Sequence, residues 1–366
     1  MHVPFSYLPD QFVDPDAIFA HLREIVTAGD FTLGKPVEEF EGRFARLVGT
    51  RHAVGVNSGT DALRLSLRAL GVGPGDEVIT SANTFIATVG AIADVGARTV
   101  FVDCTDDFCM DLALLERAVT ARTKAIIPVH MTGGMVDMKR LLAMTEPRGI
   151  PVIEDACQAI KSSLGGRPAG SWGVAGAFSL HPLKFLNVWG DGGVITTSDA
   201  ELAARLRLLR NHGLESRDVV VMLGCNSRLD SVQAAVALRV LDDVDRISRR
   251  RLENAGFYDQ ALARIPQITV PPRTPGVVHS YVTYQVFAER RDALLRHCLE
   301  RGVEGKVHYP VPVYCQPGLH HLGYRPGDFP VADRHGRTAL TLPVHQYLSR
   351  EQLAYVVDTI ADFYHT

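Results

Sequence analysis

Three pieces of sequence decide the fold: V-I-E-D-A-C-Q-A at 152–159, F-S-L-H-P-L-K at 178–184, and G-D-G-G-V-I-T-T at 190–197. The first is a short apolar run that ends in acids, typical of a buried strand with a functional carboxyl end. The second is a strand-like run that enters a proline-containing loop, and the third is a glycine-rich turn followed by another strand. They predict that Asp155 and Lys184 lie at the ends of two strands beside a glycine-rich turn.

Lys184 has two interpretations. A lysine in a loop is most often a solvated surface charge. Its neighbours favour chemistry instead, because Ser179 adds a hydroxyl, His181 a polar ring, and the glycines after Trp189 allow close approach of a ligand. A lysine can form a Schiff base with a cofactor aldehyde, and pyridoxal 5'-phosphate (PLP) is the usual partner. A carboxylate such as that of Asp155 would keep the pyridine nitrogen of PLP protonated.

The phosphate of such a cofactor needs hydroxyls and free N–H groups, which a helix N-terminus supplies. The stretch N-S-G-T-D-A-L at 57–63 follows a predicted strand, contains a tight turn and opens a helix. Strand, glycine turn and helix form the geometry of a phosphate site. The alternative is an ordinary helix cap by Ser58, Thr60 or Asp61.

Composition narrows the classes of function. The 366 residues are 46% hydrophobic and 22% charged, which is ordinary for a globular protein. A net charge of -3 gives no reason to expect nucleic acid or a membrane surface as a partner. No apolar run reaches the length of a membrane span, and the first residues lack the features of a secretory signal. The six cysteines form no C-x-x-C pair, so we expect reduced thiols, no metal site and a cytoplasmic protein.

Strands and helices alternate along the first half of the chain, which predicts crossover units and a mostly parallel sheet. We expect strands at 77–80, 99–102, 125–129 and 152–154, and helices at 85–95, 112–119 and 138–145. Ligands bind at the carboxyl ends of such strands. Phe85 follows one strand and either stacks on a flat ring or belongs to the core. His130 follows another, and either orients a ligand or caps a loop.

The chain is expected to have two domains. Composition shifts beyond a long basic helical stretch, and residues 265–278 are rich in proline. We predict a large cofactor-binding domain at 1–245, including the N-terminal lead-in, and a small C-terminal α+β domain at 246–366.

These motifs, in this order, resemble those of the DegT/StrS-type sugar aminotransferases, which are PLP enzymes of fold type I. The resemblance covers nearly the whole chain and includes T-L-G-K-P-V-E-E-F-E, N-S-G-T-D-A-L, T-F-I-A-T, the three pieces quoted first, N-H-G, N-S-R-L-D-S-V-Q-A-A and H-Y-P. It implies an α/β fold in which a mostly parallel seven-stranded sheet lies between helices, followed by the smaller C-terminal domain.

The resemblance also implies roles around the cofactor ring. Lys184 would form the Schiff base, and Asp155 would pair with the pyridine nitrogen. Gln158 would lie near the ring hydroxyl, and Phe85 would stack on the ring face.

Around the cofactor phosphate, the resemblance implies a second set of residues. Gly59, Thr60 and Asp61 would hold the phosphate largely through backbone N–H groups, with help from Ser179. Asn226 would reach the phosphate of the partner subunit's cofactor, so a homodimer would share its active sites.

For the substrates, the resemblance implies that Arg228 holds the carboxylate of the amino donor, for which a guanidinium is suited. His308 and Tyr309 would face the sugar. The chain departs from the common pattern at Phe185, where members often carry asparagine, and at 225 and 227, where aromatic residues are frequent.

The implied function is transfer of an amino group from an amino acid, expected to be L-glutamate, to a keto sugar. We expect a nucleotide-linked sugar, with a sugar phosphate as the alternative. One alternative is a PLP-dependent sugar dehydratase or lyase on the same fold. Lys184 argues against it, since the dehydrating relatives carry histidine at this position. The other alternative is a non-catalytic regulatory relative, which retention of Lys184, Asp155, Gln158 and Ser179 together disfavours.

Overall fold

A computed structural model of the chain describes residues 1–365. The strands are, in chain order, β1 (His52–Val56), β2 (Glu77–Ser81), β3 (Arg98–Val102), β4 (Thr123–Ile127), β5 (Ile153–Asp155), β6 (Ser163–Leu164), β7 (Arg167–Pro168), β8 (Ala175–Ser179), β9 (Gly193–Thr197), β10 (Leu214–Ser216), β11 (Val219–Val220), β12 (Ile268–Thr269), β13 (Val277–Val278), β14 (Tyr284–Ala288) and β15 (Ala339–Leu342). The expected strands agree with these bounds to within two residues.

The α-helices are α1 (Leu8–Gln11), α2 (Asp16–Ala28), α3 (Lys35–Val48), α4 (Gly59–Ala69), α5 (Ile86–Asp94), α6 (Leu112–Ala118), α7 (Met138–Thr145), α8 (Ala200–Leu209), α9 (Ser231–Asp242), α10 (Val244–Leu262), α11 (Arg291–Glu300), α12 (Pro330–Thr338) and α13 (Arg350–His365). Among residues 1–365, no helix combines the length and the apolar character needed to cross a membrane. The order of these elements shows the alternation of helices with strands that the sequence predicts.

The large sheet has seven strands in the order β1–β9–β8–β5–β4–β2–β3. Its two halves meet between β4 and β5 through parallel bridges, Ile126 with Val152 and Val129 with Asp155. β9 runs antiparallel to both of its neighbours, and the other pairings are parallel. This confirms the expected mostly parallel seven-stranded sheet and brings the ends of β5 and β8 to one edge.

Apolar helix faces cover this sheet. Phe40 and Phe44 lie one turn apart on α3 and are fully buried, as their spacing in sequence predicts. The Phe44 ring meets the edge of Phe178 on β8, with 5.0 Å between centroids. The helix faces and the sheet thus fix β8, and with it the start of the Lys184 loop.

A second core forms around the antiparallel sheet β12–β14–β15 and the helices α11 and α13. The long helix α10 joins the two cores, since Ile247 is buried in the larger core and Tyr258 in the smaller one. Val3, at the start of the chain, is buried in the smaller core. The domain boundary after residue 245 lies near the start of α10 and stays a prediction.

Candidate active site

A cavity of about 410 Å³ lies at the carboxyl ends of β5 and β8. Most of the residues expected at the site line it: Gly59, Thr60, Phe85, Asp155, Gln158, Ser179, Lys184, His308 and Tyr309. In the part of the chain that the structure describes, Asp61, Asn226 and Arg228 do not. Sequence motifs from the beginning, middle and end of the chain therefore meet in one cavity.

Asp155 is the last residue of β5, and its backbone is held on both sides. Its N–H donates to Pro128 O at 2.9 Å, and its carbonyl accepts from the His130 N–H at 3.0 Å. One carboxylate oxygen accepts from the Thr88 hydroxyl at 2.8 Å, and the other from the Cys157 N–H at 3.2 Å. These two donors fix the orientation of the buried carboxylate.

Thr88 is a site residue that sequence reasoning missed. It lies one turn into α5, is fully buried, and donates to Asp155. The Thr84 hydroxyl is 2.7 Å from that of Thr88, and because Thr88 gives its hydrogen to Asp155, Thr84 is the donor between the two. The motif T-F-I-A-T contains both threonines, but nothing in it indicates their contact with Asp155.

Lys184 lies in the loop after β8. Its N–H donates to His181 O at 2.8 Å, and its carbonyl accepts from the Tyr7 hydroxyl at 2.7 Å. Burial in the cavity wall lowers the pKa of the Lys184 ammonium, while attraction to the acidic groups of Cys157 and Asp155 acts in the opposite direction. A lysine with a lowered pKa supplies more of the neutral amine that attacks a carbonyl.

The Lys184 loop rests on a group that the sequence did not predict. Arg251 of α10 is 1% exposed and donates to the carbonyls of Tyr281 and Val282 at 3.0 and 3.1 Å. Its guanidinium carbon lies 5.1 Å from the ring centroid of Tyr7 and 5.4 Å from that of Phe185. Phe185, which departs from the common family pattern, is thus a buried support of the loop.

The N-terminus of α4 forms the third side of the cavity. Ser58 caps the helix by accepting from the Asp61 N–H at 3.1 Å, which leaves the N–H groups of Gly59 and Thr60 as the first in the helix. A Cβ atom on Gly59 would lie 2.8 Å from Cys157 Sγ and from Ser179 Cβ. Only glycine allows this approach, so the turn forms a backbone cradle suited to a phosphate.

Asp61, by contrast, has its side chain occupied elsewhere. The carboxylate pairs with Arg64 at 2.7 Å and accepts from the Ser227 hydroxyl at 2.6 Å. Because its N–H serves the helix cap, the role expected for Asp61 at the phosphate stays a prediction.

The outer wall of the cavity comes from the region after β14. His308 Nδ1 lies 2.9 Å from the Thr341 hydroxyl, and burial, with Lys184 and Lys306 nearby, lowers the pKa of His308 to about 4. The rings of Tyr309 and Phe85 are 5.7 Å apart at their centroids, and Phe85 is 49% exposed. Phe85 is therefore at the cavity surface and not in the core.

His130 does not line this cavity. It is fully buried, with Nε2 2.9 Å from Glu154 and Nδ1 accepting from the Val136 N–H at 3.3 Å. Glu154 also accepts from the N–H groups of Gly170 and Trp172 at 2.8 and 2.6 Å. Of the two interpretations of His130, the loop-capping one matches the structure.

Asn226 and Arg228 lie outside the cavity on the segment after the β10–β11 hairpin. Asn226 is exposed, and Arg228 donates to the Asn211 side chain at 2.9 Å. Apolar side chains on the hairpin and on this segment face solvent in the single chain, with Val220 58% and Leu223 85% exposed. The roles expected for Asn226 and Arg228 stay predictions.

The fold and the site together indicate one class of enzyme. A half-buried lysine, a carboxylate and a backbone cradle at one edge of a mostly parallel sheet are typical of fold type I PLP enzymes. A model of the DegT/DnrJ/EryC1/StrS aminotransferase family matches residues 14–361, and the chain belongs to that family.

Its relatives carry both enzymatic and regulatory names. The chain is 39% identical to dTDP-3-amino-3,4,6-trideoxy-alpha-D-glucose transaminase of Streptomyces venezuelae, over 96% of this chain and 95% of the relative. It is 40% identical to a pleiotropic regulatory protein of Geobacillus stearothermophilus, over 100% and 99%. The crystal structure of DesV of S. venezuelae in complex with a ketimine intermediate superimposes with a TM-score of 0.97 at 39% identity, covering 100% and 99%.

Proposed function

We propose that the protein is a PLP-dependent aminotransferase that moves an amino group from L-glutamate to a nucleotide-linked keto sugar. The observation that carries this proposal is that Lys184, Asp155 and the α4 cradle line one cavity. Solved structures of similar fold include a PLP form, and similar chains are transaminases of dTDP- and UDP-linked sugars.

The residues fit the cofactor. The open backbone at Gly59 suits the phosphate, and Asp155, which the Thr88 and Cys157 donors hold in place, suits the pyridine nitrogen. When bound, PLP supplies a ring that accepts electrons from the carbon bearing the amine. Lys184 is the residue that would hold it covalently.

Lys184 also carries the proton transfers. Its Nζ, in the amine form, is the base that removes a proton from the glutamate carbon bearing the amine. In the second half of the reaction the ammonium form returns a proton to the carbon of the sugar that receives the amine. Burial lowers the pKa of Lys184, which favours the amine form that acts as the base in the first half of the reaction.

The substrate contacts extend to a second copy of the chain. The exposed Asn226 and the exposed valines of the neighbouring hairpin support a homodimer in which each hairpin segment reaches the partner's cavity. Arg228 is then placed to bind the glutamate carboxylate, and His308 and Tyr309 the sugar.

A cytoplasmic location is part of the same proposal. All six cysteines are free thiols. Burial strongly raises the pKa of four of them, Cys104, Cys109, Cys157 and Cys298. Unpaired cysteines of this kind suit a reducing compartment.

The relative with a regulatory name supports a second candidate, a regulator that has lost catalysis. Lys184 and Asp155 oppose it, since a pure regulator has no need of an amine and a carboxylate that line the same cavity. A PLP-dependent lyase is opposed by the proton-transfer role that Lys184 is placed to play.

The test has two parts. The purified protein mixed with PLP should show the visible absorbance of bound cofactor; glutamate should remove it and release 2-oxoglutarate, and a nucleotide-linked keto sugar should restore it. Lys184→Ala should lose both the absorbance and the transfer, whereas Lys139→Ala, on the exposed face of α7, should keep them. Absorbance without any response to glutamate would favour the regulator, and release of ammonia instead of transfer would favour the lyase.

A further inference from the structure

Gln158 is held by a turn that lies outside the main cavity. Its Oε1 accepts from the Thr132 N–H at 2.9 Å. Thr132 has a left-handed backbone, with φ of 62°, which is unusual for a β-branched residue and needs support from its surroundings. Its hydroxyl donates to Met131 O at 2.6 Å. The direction of the Thr132 N–H therefore depends on what holds its side chain.

His279 supplies that support. Its Nδ1 accepts from the Tyr281 N–H at 2.9 Å, so the ring proton is on Nε2, which lies 3.1 Å from the Thr132 hydroxyl. Because that hydroxyl gives its own hydrogen to Met131, it accepts from His279. Burial and the nearby Arg273 lower the pKa of His279 to about 3, which keeps the ring neutral near pH 7.

The consequence for Gln158 is a fixed amide orientation. If the amide were turned over, Nε2 would face the Thr132 N–H, donor against donor. With Oε1 occupied, the two Nε2 hydrogens are the groups that Gln158 can offer to the cavity it lines. Within residues 1–365, Nε2 donates to no protein acceptor, so it is free for a ligand.

We propose that His279 and Thr132 are positioning residues that hold Gln158 as an N–H donor to the ring oxygen of the cofactor. The inference rests on the proposed function, because it requires that PLP is the ligand. A donor to this negatively charged oxygen stabilises it most when the nitrogen linking the cofactor to Lys184 has lost its proton. The contacts that lead from His279 through Thr132 to Gln158, which we call the relay, therefore lower the pH at which the absorbance of bound PLP changes.

The relay acts through Gln158 alone. Thr132 and His279 line a separate cavity of about 370 Å³, and neither lines the main one. They touch no reacting atom, so an effect on the cofactor must pass through the amide.

The experiment is a pH titration of the absorbance of bound PLP, with thermal unfolding measured on the same samples. His279→Leu should raise the midpoint by about one pH unit, a tenfold change in the proton equilibrium. Gln158→Leu should raise it at least as far, and the double variant no further, since both remove one donor. His279→Gln, which can keep an N–H donor near the position of Nε2, should stay near wild type.

Two results would overturn the relay: a His279→Leu midpoint equal to that of wild type, or shifts of His279→Leu and Gln158→Leu that add. If His279→Leu does not fold, Thr132→Val replaces it, because it removes only the hydroxyl and keeps a β-branched side chain. An unshifted midpoint for Thr132→Val then overturns the proposal. Failure of the wild-type protein to bind PLP is a distinct result, which rejects the proposed function.

Discussion

The inner and outer parts of the cavity are built differently. The inner part, which we call the floor, consists of Asp155, Lys184 and the N-terminus of α4, all at one edge of a single sheet. The outer part, which we call the wall, comes from His308 and Tyr309 after β14 and His345 after β15, together with N-terminal residues of the chain. Parallel strands place the floor residues by topology alone, whereas the wall depends on packing between remote segments. Cofactor chemistry and sugar recognition are thus separable in this molecule.

The largest effect is expected from a change that disables the floor and leaves the wall intact. In Asp155→Asn the carboxylate charge is lost, the amide oxygen can still accept from the Cys157 N–H, and the amide NH2 can donate to the Thr88 hydroxyl. A charge-assisted hydrogen bond contributes about 3 kcal/mol, so kcat should fall by roughly 10²-fold. Steady-state kinetics should show this fall with an almost unchanged KM for the sugar. A large rise in KM instead would mean that Asp155 contacts the sugar.

Through His345, the wall should make the free energy of unfolding depend on pH. His345 lines the cavity, is 3% exposed, and has its pKa lowered to about 4 by burial. Below pH 6.5 the unfolded chain binds the proton more readily than the folded one, so stability falls as pH drops from 6.5 towards 4. The free energy of unfolding should lose about 2 kcal/mol between pH 8 and pH 5 through this residue.

Urea unfolding at both pH values measures the difference. His345→Gln should flatten the decline by that amount, and His320→Gln, at an exposed position, should leave it unchanged. If the free energy of unfolding falls equally with pH in His345→Gln and in wild type, then His345 is protonated as easily in the folded protein as in the unfolded chain.

A third prediction asks whether the site is completed by a second copy. Asn226→Ala should weaken PLP binding by about tenfold, the effect of one hydrogen bond to a charged phosphate. Mixed with Lys184→Ala chains after subunit exchange, it should recover activity, because the hybrid dimer contains one site with both Lys184 and a partner's Asn226. Activity in the mixture that equals the sum of the two separate proteins would argue against shared sites.

The smallest expected effect concerns the link between floor and wall. Tyr7→Phe removes the hydrogen bond to the Lys184 carbonyl, which is worth about 1 kcal/mol, and should lower kcat about fivefold. Tyr355→Phe is the matched control, since its hydroxyl donates to Arg301 O at 2.9 Å away from the cavity. Identical loss in both variants would assign the effect of Tyr7 to general stability.

The difference between floor and wall also explains what the sequence could predict. Asp155 and Lys184 follow apolar runs that mark strands, and the topology of a parallel sheet then brings them together. Tyr7 and Arg251 carry no such local signal, because their contacts join residues far apart in the chain. Thr132 could not be found either, since its role depends on a left-handed turn and on His279.

The central claim is that Lys184 binds PLP covalently at the carboxyl edge of the sheet. Borohydride reduction of the PLP-treated protein, followed by peptide mass spectrometry, tests it directly. We predict a single pyridoxyl-modified peptide, with the modification on Lys184. Modification at another lysine, or an unmodified Lys184 in protein that shows the absorbance of bound cofactor, would contradict it.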